Sequence, residues 1–172
     1  MLCIGLSLGS AVMLGHLRDE VKGKMLRALG AYVLAVLVTY GIAAVAATQS
    51  VMSRLADMGV EVSFPVRLQT TLQDLVGMSG LYLPIIAVAL AVAFPVAALV
   101  SRYLPGWRSL GYPLAGGVAI LAIHFILNES FNITPIAAAR TTLGLAIQAM
   151  AGVLGGYLCL RLLPAKPASQ VA

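Results

Sequence analysis

The residues with any prospect of chemistry gather in the carboxyl-terminal half of the chain. His124 and Asn128 stand at i and i+4, which is one face of a helix, Glu129 follows at once, and Arg140 and Gln148 lie farther along. If these residues sit on two neighbouring helices, all five can line a ligand vestibule, joined by Asp74 and Ser79 from a preceding helix. Arg140 would then contact an anion and His124 would be the titrating group. A plainer reading covers the same residues: Glu129 pairs with Arg140 at the rim, and His124 and Gln148 hydrogen-bond between helices. We favour it, since buried polar groups are usually satisfied partners.

Other chemistries lack their parts. The histidines are His16 and His124, so paired axial ligands for haem are not available within one helical bundle of this chain. A metal ligand set is missing for the same reason. Cys3 and Cys159 are single residues at opposite ends, with no C-x-x-C pair, and read as small packing residues. No P-loop, G-x-G-x-x-G or H-E-x-x-H pattern occurs. Neither a catalytic residue, a metal nor a cofactor is expected, and an enzyme acting on lipid is the third choice because no nucleophile–base pair is evident. Four-span disulfide oxidoreductases, haem cytochromes and small multidrug carriers need, respectively, paired cysteines, more histidines and a membrane carboxylate, none of which the sequence supplies.

The elements that must position these side chains follow from the charges. The chain has 172 residues, 60% hydrophobic and 10% charged, against roughly 25% charged in an average soluble domain. That is too little charge to cover a water-exposed surface. Residues 28–53, 75–101, 109–128 and 141–160 hold no Asp, Glu, Lys or Arg. A crossing helix needs about 20 apolar residues, so each interval crosses a bilayer once. Helices and closed barrels are the spanning structures lipid permits, and period-2 alternation is absent. The expected fold is an all-α integral membrane protein, a four-transmembrane-helix bundle with spans at about 28–48, 75–101, 112–128 and 141–162.

Charge also predicts orientation. Arg18, Lys22, Lys24, Arg27, Arg102, Arg108, Arg161 and Lys166 fall on one side of such a bundle, eight of the eleven basic residues. The positive-inside rule assigns that side, with both termini, to the cytoplasm. The net charge of +5 is thereby explained by topology, and by anionic lipid, without a nucleic-acid partner. Tyr32, Tyr103, Trp107, Tyr112 and Tyr157 fall near the same span ends and read as an interfacial belt. The composition, rich in Ala, Leu, Val and Arg, points to a bacterial inner membrane, where the formal sequons at Asn128 and Asn132 mean nothing.

Along the chain, residues 1–24 read as a leader, as an interfacial segment or as a start-site artefact, since Met25 opens a natural membrane sequence. Residues 25–163 form a single domain, and 164–172 read as a disordered tail. The first outer connection, 49–74, should carry a short amphipathic helix capped by Ser50 and stopped by Gly59, with 60–65 extended. Pro84 and Pro95 are expected to kink the second span, Pro105-Gly106 to form a type II turn, and Thr134-Pro135 to start the last helix. Ala31, Ala35, Thr39 and Ala43 make a small-residue stripe on the first span. Gly144, Gln148, Gly152 and Gly156 make another on the fourth. Such stripes let helices approach closely in lipid. The favoured function is a non-catalytic interaction or accessory subunit, a homo-oligomer or a partner in a membrane complex, and the alternative is a small transporter or pore using the vestibule near His124 and Arg140.

Overall fold

Why the first apolar interval does not end where its charges begin is visible in its serines and threonines. In the computed structural model, which describes residues 2–131 and 141–163, α1 is one helix of 56 residues, Leu2–Asp57. Ser50, expected to cap a separate helix, instead turns its hydroxyl back to the Ala46 carbonyl (2.8 Å), and Ser53 does the same to Gln49 (2.9 Å). Their backbone N–H groups therefore stay in the ladder, a common mid-helix use of these residues. The helix stops at Gly59, whose φ of +83° suits glycine. Gly59 N–H bonds to the Ala56 carbonyl (2.9 Å) and Val60 N–H to that of Leu55 (3.1 Å), a Schellman ending.

The amphipathic helix of this connection comes later. α2 covers Phe64–Gly77, with Pro65 in its first turn, so the extended stretch ends at Ser63. Its polar residues face α1. Arg67 donates to Gln49 (3.3 Å), Gln49 to Thr71 (3.2 Å), and Thr48 to Asp74 (2.8 Å). Residues spread over two turns of α2 thus meet one turn of α1, and the two helices cross. Phe64, Leu68, Leu72 and Val76, at i+4 spacing on the other side, are all exposed.

A short 3₁₀ turn, Met78–Gly80, leads into α3, Tyr82–Tyr103. The second span therefore begins at Tyr82, not at 75. Gly77 and Gly80 carry no charge and so were invisible to a charge count, but glycine is a poor helix former. Pro84 falls in the first turn of α3, where no ladder bond is lost, whereas Pro95 lies inside it. Gly106 has no positive φ, so Pro105–Trp107 is a 3₁₀ turn in place of the type II turn. α4 then runs Arg108–Phe131 and α5 Thr142–Leu162. The Thr141 hydroxyl caps α5 by accepting from Gly144 N–H (3.1 Å). The Thr134-Pro135 start, Arg140, the second sequon and the 164–172 tail lie outside the described residues.

Among the described residues all regular structure is helical, and α1, α3, α4 and α5 are each long and apolar enough to cross a membrane. In the bundle α5 is wedged between α1 and α4, while α3 packs on α4 and closes against α1. The α5 contacts are made by backbone. A methyl group on Gly152 would overlap the backbone of Gly116, one on Gly156 that of Tyr112, and one on Gly155 the Thr39 side chain. The α3 contacts are made by rings, in two tiers. Tyr32 of α1, Phe94 of α3 and Tyr112 of α4 form one, with centroids 6.4 and 5.9 Å apart. Tyr40, Tyr82 and His124 form the other, at 6.3 Å and 6.3 Å. Fully buried Ile86, Leu90 and Ile120 fill the space between tiers.

Candidate functional site

The residues read as a vestibule separate into two environments. Gln148 has no exposed surface and His124 is 6% exposed, whereas Asn128 and Glu129 stand on the surface. Helix geometry gives the reason. His124 shares the inward face of α4 with Ile120 and Ile123, and by residue 128 that face has run past Tyr82, the first residue of α3.

Gln148 is the centre of what remains. Its Nε2 donates to the Ala43 carbonyl of α1 (3.0 Å), and its Oε1 accepts from the Tyr82 hydroxyl of α3 (3.2 Å). One side chain on α5 therefore links the three helices at a single depth. Its i+4 neighbours on the stripe are glycines, so a long amide can lie across the seam without competing bulk. The His124 ring packs against the Tyr82 ring at 6.3 Å between centroids, and its Nε2 has no hydrogen-bond partner. A second orphan is the Thr39 hydroxyl, pressed against Gly155.

Next to this cluster, α2 and the turn after it supply further polar groups. Asp74 accepts from Thr48 (2.8 Å), and the Tyr40 hydroxyl donates to the Leu75 carbonyl (2.5 Å). Ser79 bonds locally to the Val76 carbonyl (2.6 Å). Tyr82, Tyr40 and Thr48 were missed. Tyr40 and Tyr82 lie away from the charged flanks, which is where an aromatic belt is sought, and only their pairing in three dimensions gives them a role. Two members of the belt also change place. Tyr112 is buried and Tyr32 half-buried within the first ring tier, while Tyr103, Trp107 and Tyr157 stay on the surface.

The stripe residues Ala31, Ala35, Thr39 and Ala43 are buried on α1, as are Gly144, Gly152 and Gly156 on α5. Their contacts are with helices of the same chain. Among the described residues, no three His, Cys, Asp or Glu side chains lie close enough together to hold a metal ion. What the cluster does chemically is tie helices together: interhelical hydrogen bonds in membrane bundles average about 0.6 kcal/mol each, and Gln148 makes two. Comparison with known protein families, characterised proteins and solved structures finds no match to this chain.

Proposed function

We propose that the chain is a non-catalytic, multi-pass protein of a bacterial inner membrane, with both termini cytoplasmic, that serves as an interaction or accessory subunit. Its partner is a second copy or another membrane protein. The observation carrying this reading is the length of α1: 56 residues against 22, 24 and 21 in α3, α4 and α5. At 1.5 Å per residue it is ~84 Å long, while the hydrocarbon core is about 30 Å thick. Arg18–Arg27 are exposed beyond the bundle as a helical arm.

The small-residue stripes are occupied within the chain, so partner contact falls to outward faces. On α1, Leu26, Leu29, Val33, Leu34 and Leu37 form an exposed ridge around Gly30, where an added methyl group would meet nothing within 4 Å. That notch fits a side chain of a neighbouring helix. Photo-crosslinking residues introduced at Leu34 and Leu37 in intact membranes should give adducts with a second copy or another protein, and one at buried Ile86 should give none. The transporter alternative rests on the unpartnered His124. A chain that gives no adduct, stays monomeric and drives solute flux into liposomes would replace the subunit reading with it.

A further inference from the structure

One end of the bundle, where α1 and α4 enter and α3 and α5 finish, holds a groove of about 370 Å³. Its walls come from all four helices, among them Ala28, Tyr32, Ala91, Ala98, Tyr112 and Cys159, and they are overwhelmingly apolar. The groove has a physical origin. The edge-on contact of Tyr32 with Phe94 holds α3 off α1, and alanines at 28, 91 and 98 leave the gap unfilled.

Its mouth is basic. Arg27 adjoins Ala28 on α1. Arg102 stands one turn beyond Ala98 on the same face of α3, and helical side chains lean toward the amino terminus, the direction in which the groove lies. Arg108 stands one turn before Tyr112, whereas Arg161, two residues after Cys159, falls on the other face of α5. Arg161 is engaged by the Tyr157 hydroxyl and ring. The acids nearest in sequence are Asp19 and Glu20, two turns along α1, and Glu20 is paired with Lys24 (3.4 Å). The opposite end of the bundle mixes Arg54 and Arg67 with Asp57, Glu61 and Asp74.

An apolar slot between membrane helices under a set of arginines matches a molecule with a hydrocarbon chain and an anionic head. We infer that the groove binds an anionic phospholipid, one acyl chain against Ala91 and Ala98 and the phosphate at Arg27 and Arg102. Basic pockets between membrane helices hold such head groups on the cytoplasmic side. The site does not depend on the oligomeric state or on a partner protein.

The test is native mass spectrometry of the full chain in detergent, with phosphatidylglycerol and phosphatidylcholine of identical acyl chains. Phosphatidylglycerol should be retained preferentially. Arg27→Gln and Arg102→Gln should each weaken its retention about fivefold and leave phosphatidylcholine unchanged. Ala98→Leu, which fills the slot and keeps every charge, should weaken both lipids. Circular dichroism confirms that each variant is folded. Equal retention of the two lipids, or retention untouched by both arginine variants, overturns the inference. So does displacement of the lipid by inorganic phosphate alone, which would make this a free-anion site, or a dimer lost on Ala98→Leu, which would make it a protein interface.

Discussion

Where α5 meets α1 and α4, backbone lies on backbone: Gly152 on Gly116, Gly156 on Tyr112, Gly155 on Ala35 and Thr39. Where α3 meets the same two helices, rings and a phenol hydroxyl intervene, with Tyr32 donating to the Ala87 carbonyl (2.6 Å) and Tyr82 packed between Tyr40 and His124. The two seams stabilise one bundle by different means. In lipid the apolar solvent gives no hydrophobic drive to associate, so close packing and hydrogen bonds carry the helix contacts. A glycine contact maximises packing and has no rotatable part of its own with which to absorb an error; the Gln148 amide, bonded to the Ala43 carbonyl, is the polar link on this seam. A ring seam can adjust by side-chain rotation and adds polar bonds.

Substitutions at the two seams should therefore fail in different ways. Gly152→Leu puts a branched side chain into the Gly116 backbone, and we expect no recoverable monodisperse protein, read by size-exclusion chromatography in detergent. Leu90→Ala, between the ring tiers, leaves a cavity that the rings can partly close. A loss of about 3 kcal/mol, measured by thermal unfolding, is expected with the fold retained. Gly155→Ala adds one methyl against Thr39 and should cost about 1–3 kcal/mol. Tyr82→Phe removes the hydroxyl bonded to Gln148 and should cost about 0.6 kcal/mol. Gly30→Ala, which meets nothing, should leave the unfolding temperature unchanged or raise it slightly, because alanine is the better helix former. If Gly155→Ala were as harmless as Gly30→Ala, the distinction between the seams would fail.

The number and approximate position of the long helices were legible because charge is so unfavourable in hydrocarbon that its absence marks the crossings. Helix ends inside the uncharged intervals were not. Gly77 and Gly80 ended the 75–101 interval as a helix without leaving any mark in charge. α2 was not expected, because residues 60–65 read as extended, although Pro65 two residues after Ser63 is a start signal related to Thr134-Pro135. The stripe residues could be recognised as close-packing, but sequence could not say against what, since a small residue presents the same face to its own chain or to another. Of the vestibule, helical spacing correctly put His124 and Asn128 on the same helix, but it could not show that the face passes from bundle interior to surface between them. Tyr82, the residue that joins His124 to Gln148, stands 42 residues before one and 66 before the other, and no local pattern links positions so far apart.

The outward stripe of α2 has a consequence for how deep the protein floats. Phe64 and Val76, at opposite ends of that helix, are 77% and 76% exposed. A soluble domain would turn such residues inward; an interfacial amphipathic helix buries such a face about 5–10 Å into the boundary between head groups and acyl chains. Because polar bonds to Thr48 and Gln49 fasten α2 to α1, the stripe acts as a waterline painted on the hull. With α2 in the interface, it would set the draught of the bundle on that side, whatever length of α1 stands clear on the other.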